Sequence, residues 1–428
     1  MVRGSSLFSW LFSALCASCA SIHFPTPTMA IPAPGGPHKV GFSETTLAVP
    51  GRVMVAQGKE MERVLTLDVW YPAQRISGHQ PVPYSDQKLN AALSKQFHLP
   101  SFMMSETESY AFGDAPVLEG NHPLVVFNHG YGSFTRQNFA NLQDLASRGM
   151  VVVSVGHPGD SLLCRDGAGN AIPLDLESSV YKEVLKAQED PKPLADAILA
   201  SLDAQRAATT HAAYRDASIA FARNGQNGPM GRQAATWIQD TRDVLAALTA
   251  GMAHPVLSHV DASNVLLMGH SLGGFVALTL AADPPAGVKG AINLDGPWML
   301  YDDATDPTIK VPVLNLVSTD NMLEGRNLKL AGTLQPLFKH ASAGAYVLEL
   351  EGTAHMNFAD MNFVRVTRLA GVLGPVDGLT MHEVMTESMA EFARRAQTGI
   401  PVTLEMALLA PRKGLVVHTI PATAPGGS

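Results

Sequence analysis

The chain has 428 residues, 46% hydrophobic and only 16% charged, which is enough apolar material for one large core or two to three smaller ones. A formal net charge of −8 excludes the basic footprint that nucleic-acid binding requires. The three cysteines are Cys16, Cys19 and Cys164; with two of them at the extreme N-terminus, a disulfide framework is excluded.

Residues 1–20 read as an export signal. Arg3 supplies the positive start, and Leu7 to Ala17 is an apolar run too short to span a bilayer as a permanent helix. Ser18-Cys19-Ala20 offers a cleavage site, and Thr28-Met29-Ala30 allows the cut to fall as late as residue 30. The expectation is an exported protein, periplasmic or secreted, with no transmembrane span in the mature chain. A lipid anchor through Cys19 fits less well, because the position three residues earlier is Cys16 rather than an aliphatic residue. Residues 21–45 carry Pro25, Pro27, Pro32, Pro34, Gly35, Gly36 and Pro37 and read as a linker.

The main domain is expected over residues 46–412. Residues 63–71 alternate like an antiparallel edge strand, stopped by Pro72. Continuous apolar runs follow at Leu124–Phe127, Met150–Val155, Val265–Met268, Ala291–Leu294, Val311–Val317 and Tyr346–Leu350. Uninterrupted apolar strands are buried on both faces, as in a parallel sheet covered by helices. Helical patterns lie between several of them, as at Asn138–Ser147 and Ala235–Thr249. The fold class is therefore α/β, a doubly wound and mostly parallel sheet. About residues 174–233, an alanine-rich helix-prone stretch breaks this rhythm and reads as a helical insertion over the site. Residues 413–428, with Pro421, Pro425, Gly426 and Gly427, read as a flexible tail.

Residues 265–275, Val-Leu-Leu-Met-Gly-His-Ser-Leu-Gly-Gly-Phe, run from a strand through Gly-x-Ser-x-Gly into a helix. This is the pattern of a nucleophile elbow, in which Ser271 sits on a sharp, strained turn flanked by glycines. A serine hydroxyl needs an adjacent base held in the right tautomer. Of the 15 histidines, His355 follows the last sheet strand and is the expected general base. His129 and His157 follow earlier strands, His382 lies in a C-terminal helix, and the His270 side chain is expected to point away from the base's position. Two carboxylates end strands between nucleophile and base: Asp295 after Ala291–Leu294, and Asp320 after Val311–Val317. Strand order slightly favours Asp320, and spacing leaves both open.

An oxyanion hole needs backbone N–H groups aimed at the oxygen that becomes negative. One should come from Leu272, directly after the nucleophile, and the other from the His129-Gly130-Tyr131-Gly132 loop. No histidine–cysteine or carboxylate cluster has metal-ligand spacing, and no cofactor is called for. Phe102-Met103-Met104 and Trp298-Met299-Leu300 are more ordinary as core than as an acyl pocket.

The run from Pro123 to Phe134, Gly-His-Ser-Leu-Gly-Gly at 269–274, Asn-Leu-Asp-Gly-Pro-Trp-Met at 293–299 and Gly-Thr-Ala-His-Met-Asn-Phe-Ala-Asp at 352–360 resemble the plasma and type-II intracellular platelet-activating factor acetylhydrolases. The resemblance covers roughly residues 60–400. It implies an α/β-hydrolase fold and selects Asp295 as the acid, because that family places it in an Asp-x-Trp-Met setting that Trp298 and Met299 match with one extra residue, Pro297. Asp320 stays in reserve. It also implies that the second oxyanion donor is the Tyr131 amide. The implied activity is calcium-independent hydrolysis of short or oxidised acyl groups at the second glycerol position of phospholipids; the expected partners are a small ester or phospholipid substrate and, peripherally, lipid surfaces. A general carboxylesterase, or a polyester or lactone hydrolase, is the nearest rival, and an inactive binding protein on the same fold is remote.

Overall fold

The computed structural model describes residues 29–56, 58–97, 107–190, 192–297, 309–320, 322–323, 326–327, 343–364, 367, 371–400 and 417–420. The expected signal, the Phe102-Met103-Met104 run and the Trp298-Met299-Leu300 run lie outside them.

In chain order the strands are β1 (Lys39–Ala56), β2 (Lys59–Ala73), β3 (Pro81–Pro83), β4 (Glu108–Gly113), β5 (His122–Asn128), β6 (Val151–Gly156), β7 (Leu163–Arg165) and β8 (Ala171–Pro173). They continue with β9 (Val260–His270), β10 (Val288–Leu294), β11 (Val313–Asp320), β12 (Met322–Leu323), β13 (Arg326–Asn327), β14 (Ala345–Ala354) and β15 (Val417–Ile420). One sheet has 11 strands in the order β15-β14-β11-β10-β9-β5-β6-β2-β1-β4-β3. From β6 to β14 every neighbouring pair is parallel, whereas β2 is antiparallel to both β6 and β1. This is the α/β-hydrolase arrangement.

Among the described residues the α-helices are α1 (Gln87–Phe97), α2 (Phe139–Ser147), α3 (Ser179–Glu189), α4 (Lys192–Ala207), α5 (His211–Asn227), α6 (Pro229–Thr249), α7 (Leu272–Ala282) and α8 (Gly378–Thr398). The apolar runs that read as strands split by alternation between two cores. Leu124, Val126, Val265 and Leu267 join a cluster with Trp237 and Val244 of α6 and Leu278 of α7 on one face. Val125, Phe127, Leu266 and Met268 join Phe139 and Leu142 of α2 and Met385 and Phe392 of α8 on the other. Burying both faces leaves the strand ends as the accessible edge of the sheet, and loops at those ends carry the candidate site.

Three sequence expectations are corrected. The strand around 63–71 is not an edge: β2 lies inside the sheet, and its Arg63, Thr66 and Asp68 are buried with partners. Arg63 donates from Nε to Asp240 Oδ1 at 2.7 Å, and Asp68 Oδ2 accepts the Thr135 hydroxyl at 2.5 Å. The stretch 21–45 is not a free linker in its described part. Met29 and Ile31 are buried, the Gly36 and Gly35 N–H groups donate to Ser147 Oγ (2.8 Å) and Asp144 Oδ1 (2.6 Å), and β1 begins at Lys39. Within the expected tail, Val417–Ile420 forms a strand antiparallel to β14.

The insertion consists of α3, α4 and α5, followed by α6, which packs against the sheet. Ser178 and Thr210 cap α3 and α5 through their side-chain oxygens, and Pro229 occupies the first turn of α6. Among the described residues, no helix is long and apolar enough to cross a membrane.

Candidate active site

The elbow lies between β9 and α7. Ser271 has φ 55° and ψ −118°, a positive-φ conformation that costs a non-glycine residue about 1–3 kcal/mol and is held only by its surroundings. Two constraints hold it. The Ser271 N–H donates to the Leu294 carbonyl at 2.9 Å, tying the turn to β10. A Cβ on Gly269 would come within 2.1 Å of the Gly273 backbone, and one on Gly273 within 2.0 Å of the Asn128 carbonyl. The motif glycines are therefore required by close backbone approach.

Asp295 follows β10 and also has a positive φ, 53°. Its N–H donates to the Leu316 carbonyl at 2.8 Å, and its side chain is fully buried. Oδ1 accepts the Ser318 N–H at 2.7 Å, and Oδ2 accepts the Ser318 hydroxyl at 3.0 Å. Oδ2 also meets His355 Nδ1 at 2.7 Å. Burial pushes this carboxyl up, but the hydrogen bonds and charge of His355 and the Ser318 N–H outweigh it and hold the group below the ordinary carboxylate range. Asp295 is thus an ionised acceptor for a hydrogen bond from His355 Nδ1–H, which leaves the Nε2 lone pair of His355 free.

Asp320 stands on β11 opposite Ala354, yet its side chain is exposed and makes no hydrogen bond to the imidazole. The two acids that spacing left open are separated by Ser318, a residue with no sequence signal of its own.

The His355 loop is fixed from below. Asn357 Oδ1 accepts the N–H groups of Ala354 and Gly374, each at 2.8 Å. Phe358 is fully buried. Asp360 Oδ2 accepts the Ala140 N–H at 3.1 Å, so it caps α2, whose own cap residue Asn138 makes no side-chain bond to the helix start. These contacts give physical reasons for the His-x-Asn-Phe-Ala-Asp block.

The loop after β5 closes over the elbow, and a Cβ built on Gly130 would lie 3.5 Å from Ser271 Cβ. The Gly132 N–H is taken by the Asp160 carbonyl at 2.9 Å and the Ser133 N–H by the Gly130 carbonyl at 3.0 Å. Among the described residues no acceptor takes the Tyr131 N–H, and Leu272, first residue of its helix, has one of the orphan donors of a helix start. Burial first, and then the charges of Asp160, Tyr181 and Asp175, push the Tyr131 phenol above the ordinary tyrosine range.

Three of the histidines weighed against His355 have structural partners. His129 meets the Gly130 carbonyl and Ser161 Oγ, each at 2.7 Å. His157 meets Asp240 Oδ2 at 2.8 Å and stacks on Trp237 at 3.8 Å. His382 is buried against Asn141 at 3.3 Å. His270 differs from expectation: its ring lies 4.6 Å from that of His355, and its Nε2 is 3.2 Å from the His355 carbonyl.

The profile of the family described as platelet-activating factor acetylhydrolase, isoform II, matches residues 25–170 and 251–399, leaving out the stretch that holds the insertion helices. The platelet-activating factor acetylhydrolase of Canis lupus familiaris is 23% identical over 311 residues, 69% of this chain and 63% of that protein. That of Gallus gallus is 23% identical over 252 residues, 57% of this chain and 54% of that protein. The chain thus spans somewhat over half the length of these relatives. Among solved structures, a ferulic acid esterase from Streptomyces cinnamoneus superposes with a TM-score of 0.63 at 20% identity, covering 91% of this chain and 99% of that one, a likeness of fold. With the profile matching most of the chain on both sides of the insertion, the protein belongs to the platelet-activating factor acetylhydrolase isoform II family.

Proposed function

We propose that the protein is a serine ester hydrolase in which Ser271, His355 and Asp295 form the catalytic triad. The observation that carries this reading is the 2.7 Å contact between His355 Nδ1 and the buried Asp295 carboxylate, beside a serine strained at the elbow. The Ser271 oxygen attacks the ester carbonyl while His355 Nε2 takes its proton. The oxyanion is stabilised by the Leu272 and Tyr131 N–H groups, each such donor contributing on the order of 10²–10³ in turnover. Protonated His355, stabilised by Asp295, gives the proton to the leaving alcohol. Water then attacks the acyl-enzyme, its proton passing to His355 and on to Ser271, which releases the acid.

Family membership favours short acyl groups at the second glycerol position of phospholipids as the substrate. A plain carboxylesterase is the second reading, favoured by the ferulic acid esterase likeness over 91% of the chain. Hydrolysis of a 2-acetyl phosphocholine ether lipid with chelator present, with Ser271→Ala as the blank, separates the two. Chelator-resistant turnover lost in the mutant supports the phospholipid substrate. Cleavage of nitrophenyl acetate alone would discard it and keep the triad.

A further inference from the structure

Between the oxyanion loop and the base loop lies a buried pair, Gln137 and His270, which the triad chemistry leaves unassigned. The Gly130 N–H can only donate, and it donates to Gln137 Oε1 at 2.9 Å. That contact fixes which end of the amide is oxygen, so Nε2 faces His270 Nδ1, at 2.7 Å, and donates to it. Its second hydrogen goes to Asn138 Oδ1 at 3.1 Å. With Nδ1 accepting, the His270 proton resides on Nε2 and is donated to the carbonyl of His355 at 3.2 Å. Every donor and acceptor in the line is used in one direction, starting from a backbone N–H and ending at a backbone carbonyl.

We propose that Gln137 and His270 are positioning residues: a one-way hydrogen-bonded strut that sets the Gly130–Tyr131 backbone and the His355 backbone at a fixed distance on either side of Ser271. This rests on the triad reading above and adds to it the part that spaces the oxyanion hole from the base. Further bonds bind the same two loops together. The Asp360 N–H donates to the Gln137 carbonyl at 3.0 Å, and Asn138 Nδ2 donates to the Phe358 carbonyl at 2.6 Å. Burial, with the neighbouring His355 adding to it, holds His270 down at about 3, so the strut stays neutral wherever the base works. A protonated Nδ1 would set donor against donor at Gln137.

The test is a double-mutant cycle in kcat on nitrophenyl acetate, using Gln137→Met, His270→Phe and the pair, with active sites counted by fluorophosphonate titration. Each single change is expected to lower kcat by about 10- to 100-fold, the scale of a misplacement near 1 Å, with KM within about twofold of wild type. Because both changes cut one strut, the double mutant should be no slower than the slower single. Effects that multiply, or normal kcat per titrated site in either single, would overturn the proposal. If Gln137→Met does not fold, Gln137→Asn, one methylene too short to reach both partners, carries the same test. A wild-type protein that fluorophosphonate does not label would instead sink the triad reading.

Discussion

Replacing Asp295 by asparagine gives an outcome that the local hydrogen bonds dictate. Oδ1 faces the Ser318 backbone N–H at 2.7 Å, a group that can only donate, so in Asp295→Asn the amide oxygen must keep that place. The NH₂ then falls where Oδ2 stood. There it meets His355 Nδ1, formerly at 2.7 Å from a carboxylate oxygen, and forces Nδ1 to accept. The imidazole proton moves to Nε2, pointing at the serine it should deprotonate. The change is nearly isosteric, so the loss is one of tautomer and charge rather than of fold. In a triad this exchange costs about 10⁴-fold in kcat, or about 5.4 kcal/mol at 1.36 kcal/mol per tenfold. The assay is kcat on nitrophenyl acetate per folded molecule, with Asp320→Asn in parallel. Asp320 is exposed on β11 and should tolerate the change within about twofold. A loss below tenfold in Asp295→Asn, or the large loss in Asp320→Asn instead, would refute this assignment.

Other substitutions test other links. Burial raises the Asp160 carboxyl from 3.8 to about 6 despite hydrogen bonds from Trp237 and Gln233. The folded chain therefore holds this proton more tightly than the unfolded one, so stability falls as pH rises from about 4 to about 6 and stays lowered above, by up to about 3 kcal/mol. Asp160→Asn, which keeps an acceptor for Trp237, should raise Tm at pH 8 and leave it unchanged at pH 4; a lower Tm at both would contradict the argument. Gly273→Ala places a methyl 2.0 Å from the Asn128 carbonyl and should cost about 1–3 kcal/mol in denaturant unfolding and abolish esterase turnover. Asn357→Ala strips the acceptor from the Ala354 and Gly374 N–H groups, with an expected loss of about 1–3 kcal/mol and a fall in kcat larger than any change in KM. Unchanged kcat would show that His355 is held without it.

Much of the fold was legible because the parallel strands are apolar on both faces, and the following loops carry residues with recognisable chemistry. Spacing did not choose between Asp295 and Asp320, since both end neighbouring strands, and only the family resemblance favoured Asp295; in the structure they differ in the Ser318 N–H and hydroxyl that face Asp295 across β10 and β11. β2 was misread as an edge because its buried polar residues alternate as solvent-facing ones would. Thr66 and Asp68 in fact meet the Arg165 carbonyl and the Thr135 hydroxyl, partners distant in sequence. The docking of Gly35 and Gly36 on α2 and the pairing of Val417–Ile420 with β14 are likewise long-range, and proline and glycine content gives no hint of either.

The most direct measurement is the intact mass of the protein after reaction with a fluorophosphonate, followed by peptide mapping, on the wild type and on Ser271→Ala. The account predicts one adduct per wild-type molecule, on Ser271, and none on the mutant, because only a serine activated by a base reacts. An unlabelled wild type, or equal labelling of Ser271→Ala, would contradict it.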